Sequence, residues 1–233
     1  PEEVVVTSGC TAAINRLAHC FVAGLQPGDE VLISLIEHHA NFVPWQMARE
    51  RRGIVLKAVP VTADGRLDLS ALNRLVTPRT RLISLTHASN VTGAETDVAA
   101  VVAAARAVGA KVMLDGAQRA PHGPLDVQAL DIDFYALAGH KMFGPNGIGV
   151  LWGRRELLNA LPPFLGGGEM IARVSLEETT YAEPPHRFEA GTPPIAQAVG
   201  LAAAADWISK LDHEAAHSRL SDLTERLLDG LVT

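Results

Sequence analysis

The sequence lacks the marks of several common protein classes. Only two cysteines, Cys10 and Cys20, occur in 233 residues, too few for a disulfide framework or a cysteine-rich metal site. No apolar run is long enough to span a bilayer. Basic charge is not in excess. The formal net charge is −6 and the 20 Lys and Arg are scattered, which argues against the clustered basic face of a nucleic-acid groove. The N-terminus carries no signal-peptide pattern, so the cytoplasm is the expected compartment. There is no internal repeat and no low-complexity tract. Pro1 stands where a start methionine would, so the chain need not begin where translation does.

What is present is a globular pattern. Apolar residues make up 48% of the chain, and this length is enough for one large core domain with part of a second. Short Val/Ile/Leu runs alternate with helical periodicity. The pattern predicts strands at 3–7, 30–35, 54–60, 81–86 and 110–115, with helices at 11–25, 42–52, 69–75 and 97–108. Strands apolar on both faces and alternating with helices indicate a mostly parallel α/β sheet. Beyond residue 115 the order changes. Runs at 134–137 and 148–152 read as strands joined by the turn Gly144-Pro145-Asn146-Gly147. Residues 161–194 form a long irregular Gly/Pro-rich stretch, of a kind often functional. Helices are predicted at 195–208 and 214–228.

In open α/β sheets ligands bind beyond the carboxyl ends of the strands, and the polar candidates fall there. Asp115 closes a strand, and Lys141 lies in the glycine turn Gly139-His140-Lys141 after the next one. That pairing suits pyridoxal phosphate (PLP). A lysine amine forms a Schiff base with its aldehyde, and a carboxylate keeps its pyridine nitrogen protonated. To act as a nucleophile Lys141 must first lose a proton. Gly9-Cys10-Thr11, at a helix start, offers free N–H groups and a hydroxyl to a phosphate; alone, it is also an ordinary helix N-cap. His140 is within reach of the same phosphate. His38 and His39 point apart and have no carboxylate to complete a metal site; a flat His38 ring stacked on a pyridine is the better functional reading. Asn90 and Gln118 are neutral donors suited to the cofactor's phenolic oxygen, though each alone reads as turn chemistry. Gly144-Pro145-Asn146-Gly147-Ile148-Gly149 has the wrong spacing for a dinucleotide fingerprint and reads as a hairpin turn.

Several segments carry a family resemblance. Glu37-His38-His39-Ala40-Asn41 with Val43-Pro44-Trp45-Gln46, His87-Ala88-Ser89-Asn90-Val91, Asp115-Gly116-Ala117-Gln118 and Gly139-His140-Lys141 occur in order. Gly166-Gly167-Gly168-Glu169-Met170-Ile171 and Arg187-Phe188-Glu189-Ala190-Gly191-Thr192-Pro193 follow. Together they resemble the SUF-system cysteine desulfurases, which are class V, fold-type-I PLP enzymes. The resemblance implies a three-layer α/β large domain at 1–208 with a mostly parallel central sheet. Residues 209–233 would begin a helical connection to a small C-terminal domain. It implies a PLP-dependent enzyme of iron–sulfur cluster assembly that converts L-cysteine to L-alanine and passes the sulfur to an enzyme cysteine.

Residue by residue, the resemblance gives Lys141 the Schiff base, Asp115 the ring nitrogen and His38 the stack on the ring. Asn90 and Gln118 flank the phenolic oxygen. Cys10, Thr11 and His140 line the phosphate end, with Thr192 supplied by the other subunit of a homodimer. No metal is implied, and a sulfur-acceptor protein is a possible partner. This chain departs from the family at Cys10 and Ala138, where Thr and Ser are usual, and at Pro194, where Asn is usual. Neither the family's closing N-terminal segment nor its small domain with the sulfur-accepting cysteine has a match, so the chain reads as the cofactor domain, cut at both ends and inactive by itself. Two alternatives stand beside this one: another class V enzyme (a selenocysteine lyase, aminotransferase or epimerase), or a non-catalytic dimerising scaffold.

Overall fold

The computed structural model describes residues 1–232. Seven strands form one sheet: β1 (Val4–Thr7), β2 (Glu30–Ser34), β3 (Val55–Val59), β4 (Thr80–Thr86), β5 (Lys111–Asp115), β6 (Phe134–Ala138) and β7 (Gly149–Gly153). Their spatial order is β1-β7-β6-β5-β4-β2-β3. The pairs from β3 through β6 are parallel, and β7 runs antiparallel to both its neighbours, β6 and β1. The sheet is therefore mostly parallel with one reversed strand, and β1 shares the direction of the parallel set.

Side-chain alternation divides the core into two layers. Val5, Val31, Ile33, Leu82, Met113 and Phe134 pack under α1 (Cys10–Val22) and α2 (Val43–Arg52). Leu32, Ile83, Leu85, Val112, Leu114 and Tyr135 pack under α3 (Leu69–Leu75) and α4 (Val98–Arg106). Residues in β2, β4 and β5 are buried on both faces, which is why those strands lack a polar period. Asp68 and Asp97 cap α3 and α4 by accepting the N–H groups of Ala71 and Ala100.

The predicted hairpin needs correcting. Residues 144–147 do not alone join the two strands. β6 runs into a 3-10 turn at Gly139–Met142, and the antiparallel register pairs Ala138 with Gly149, so the whole intervening segment forms the connection. The irregular stretch also holds order that composition conceals. A two-stranded ribbon pairs β8 (Ile171–Val174) with β9 (Thr179–Tyr181). Before it lies a short helix, α5 (Arg155–Ala160). Two C-terminal helices, α6 (Ile195–Ile208) and α7 (His213–Val232), complete the chain. No helix among the described residues is long and apolar enough to cross a membrane.

Candidate active site

The parallel strands bring the loops after β1, β2, β4, β5 and β6 to one edge of the sheet. Helix α1 starts directly after β1. Its N-cap is Gly9, at φ 149°, and no side chain caps it. The N–H groups of Cys10, Thr11 and Ala12 find no acceptor among the described residues, so the positive end of a 13-residue helix is left open. Close backbone approach holds it there. A Cβ on Gly149 of β7 would lie 2.5 Å from Gly9 Cα and 2.5 Å from the Leu137 carbonyl.

Asp115 ends β5 and is 4% exposed. Its Oδ1 accepts two hydrogen bonds, from the Ala117 N–H at 2.9 Å and the Cys10 thiol at 3.3 Å. Its Oδ2 has no partner among the described residues. Lys141 sits half-buried in the 3-10 turn after β6, and its Nζ likewise has no hydrogen-bond or ion-pair partner. His38 caps a short 3-10 turn after β2 through Nδ1, which accepts the Ala40 N–H at 3.1 Å. Below it the buried Glu37 carboxylate accepts from Ser34 Oγ, from Asn41 Nδ2 at 2.6 Å and from Thr86 N at 2.9 Å. Burial lifts the Glu37 carboxyl to about 7 with help from the Asp115 charge, against the opposing pull of those three donors.

A cavity of about 560 Å³ joins these parts. Its walls include Cys10, Thr11, His38, Asn90, Asp115, Gln118, His140 and Lys141. Thr192 does not reach it. That residue lines a separate cavity of about 270 Å³ with Ser8, Arg16 and Glu189. Sequence reasoning missed Asn15, Thr86 and Phe164 on the main wall. Phe164 lies in the irregular stretch, where no periodicity marks it. It is held by an edge contact with the His19 ring at 5.2 Å and by the Arg16 guanidinium 5.7 Å from its centroid.

Cys10 lines the cavity, but its side chain faces away from the helix end. Its thiol turns inward to Asp115 instead of standing at the open helix end. A helix N-terminus ordinarily lowers a thiol pKa, but burial, and secondly the Asp115 carboxylate, drive this one far upward. Cys20 is a core residue, 1% exposed, with burial pushing its thiol up to about 12.

These features fit PLP. An anion is matched by three unpaired N–H groups and the Thr11 hydroxyl. A protonated ring nitrogen is matched by an unpaired carboxylate oxygen, and an aldehyde by an unpaired lysine amine. The cavity has the size of an ordinary cofactor site.

Comparison with known proteins agrees. The class V aminotransferase family model matches residues 1–233. A cysteine desulfurase of Dickeya dadantii is 52% identical over 216 residues, 92% of this chain and 52% of that protein. The crystal structure of the cysteine desulfurase CsdA from Escherichia coli superposes with a TM-score of 0.94 at 46% identity, covering 98% of this chain and 58% of that one. The structure of a C-DES variant with glycine covalently linked to its PLP cofactor gives 0.88 at 29% identity, covering 100% and 62%. The chain belongs to the class V aminotransferases. The family uses PLP, and the seven-stranded mixed sheet is the large domain of fold-type-I PLP enzymes. The chain spans about half the length of the curated relatives it matches.

Proposed function

We propose that this chain is the cofactor-binding domain of a PLP-dependent cysteine desulfurase of the SUF type. It would act on L-cysteine to yield L-alanine, with the sulfur passed to a cysteine as a persulfide. The observation that carries the reading is the pairing of Lys141 and Asp115 on one cavity wall, each with a functional atom left unpaired. When bound, PLP supplies an electron sink that stabilises negative charge at the substrate's α-carbon.

The chain's own residues do the rest. Lys141 Nζ would hold the cofactor covalently and, when free, would serve as the base for the α-proton. Asp115 Oδ2 would keep the ring nitrogen protonated. Thr11, His140 and the open N–H groups of α1 would hold the phosphate. Asn90 and Gln118 would serve the phenolic oxygen, and His38 the ring. Glu37 supports the His38 turn from beneath. The Cys10 side chain faces Asp115, so its part in the phosphate site would be its backbone N–H alone.

Neither cysteine suits the persulfide role, since both are buried with thiols held protonated. The reading therefore places the sulfur-accepting cysteine outside these 233 residues. Thr192 is exposed and stands clear of this chain's own cavity, which supports a homodimer in which it serves the neighbour's phosphate. Residues 209–233 would then begin the connection to a second domain. In α7, Leu220, Leu223, Leu227 and Leu231 recur at helical spacing and are all exposed. Purified protein incubated with PLP and reduced with borohydride should carry the cofactor on Lys141 alone by peptide mapping. Labelling at another lysine would reject the assignment.

A further inference from the structure

Cys10 and Asp115 are 105 positions apart in sequence, yet the start of α1 and the end of β5 bring the thiol within 3.3 Å of Oδ1. Both are buried, at 6% and 4% exposure. Oδ1 also takes the Ala117 N–H, so two donors converge on one oxygen of the carboxylate. The two donors come from different elements, α1 and the turn after β5, and both hold Oδ1, while Oδ2 has no partner among the described residues. The thiol is suited to be a permanent donor. Burial and the adjacent carboxylate both disfavour its thiolate, so the proton stays on sulfur.

We propose that Cys10 is a positioning residue: its S–H group locks the Asp115 carboxylate in the orientation that reserves Oδ2 for the cofactor's ring nitrogen. The proposal rests on the PLP reading of the cavity but adds a residue whose contact is with Asp115 and not with the cofactor. It also accounts for a thiol at this buried place. A thiol is a weak donor, so it orients the carboxylate while withdrawing less of its negative charge than a hydroxyl would.

The test begins without cofactor. Cys20 is also buried and has no hydrogen-bond partner among the described residues, so its S–H stretch is an internal reference for that of Cys10. Infrared spectra of the apo chain should show two S–H bands, assigned with Cys10→Ala and Cys20→Ala. The Cys10 band should be the lower in frequency. Asp115→Asn should move it toward the Cys20 band and leave the latter in place. PLP affinity is then measured by spectrophotometric titration on folded protein, checked by circular dichroism. Cys10→Ala should weaken binding about fivefold, because a weak donor to a charged acceptor is worth about as much as one ordinary neutral hydrogen bond, and Cys10→Ser should stay within about twofold of wild type. Coincident S–H bands that ignore Asp115→Asn would overturn the proposal. So would a Cys10→Ala protein that binds PLP like wild type, or a Cys10→Ser protein as impaired as Cys10→Ala. If no protein takes up PLP while the bands stay split, the cofactor reading fails and the positioning role with it, but the Cys10–Asp115 bond stands.

Discussion

The Glu37 carboxylate accepts the backbone N–H of Thr86 at 2.9 Å, and this one bond ties the turn carrying His38 to the end of β4. With Ser34 and Asn41 also donating to it, Glu37 joins three segments beneath the cavity. Asn41 extends the network by accepting from Trp45 Nε1 at 3.0 Å and from Ser84 Oγ at 2.6 Å. Truncating Glu37 leaves buried donors unpaired. Glu37→Ala should cost about 3 kcal/mol in a urea unfolding titration. PLP affinity should fall as well, because the His38 turn loses its anchor. A variant with wild-type stability would remove Glu37 from this role.

The pH dependence of stability has two opposing sources. The Glu37 carboxyl is raised in the folded state to about 7. Its contribution is thus full below the unfolded value near 4.5 and is lost as pH rises through 7, by at most about 3 kcal/mol. His87 behaves oppositely. Burial, reinforced by the Arg119 cation, lowers its imidazole to about 4, so its contribution is present above 6.5 and is lost as pH falls through 4. Between pH 4.5 and 6.5 the slopes oppose, and their joint contribution should be shallow. Glu37→Gln should unmask a stability that rises with pH across this window. His87→Asn should unmask one that falls, and unfolding titrations at several pH values read both. Identical slopes in the two variants would contradict the assignment.

Lys141→Ala should leave the fold intact. The side chain is half-buried and makes no hydrogen bond or ion pair among the described residues, so the change in unfolding free energy should stay within about 0.5 kcal/mol. The variant should nevertheless lose the yellow colour that wild type gains with PLP, and retain no borohydride label. A large stability loss would show that the lysine has a structural partner.

Gly149→Ala should damage the site from below. The added Cβ meets Gly9 Cα and the Leu137 carbonyl at 2.5 Å, both backbone atoms that cannot rotate away. A destabilisation of about 2 kcal/mol is expected from this overpacking. PLP affinity should drop together with it, because the start of α1 is displaced. Unchanged affinity would mean that the helix end does not hold the phosphate.

Much of this protein is legible in its sequence, for reasons local to each segment. Continuous apolar runs identify β2, β4 and β5 because both faces of those strands are covered. The helices predicted from 69 and 97 form there, and the structure shows Asp68 and Asp97 capping them, because a short carboxylate reaches the first free N–H groups. Asp115, His140 and Lys141 stand out because they sit where strands end, and ligands of open α/β sheets bind at such ends. The irregular stretch was opaque because Gly and Pro composition carries no period, so the β8–β9 ribbon and the wall position of Phe164 were invisible. Only the tertiary structure decided the direction of the Cys10 thiol. Helix position alone predicts a lowered pKa, but the packing of α1 against β6 and β7 buries the sulfur beside Asp115 and reverses the sign. Only the tertiary structure also revealed Glu37 as the common acceptor of three segments. Sequence spacing gives the order of chemical groups, whereas their energies depend on which distant groups share the same dry space.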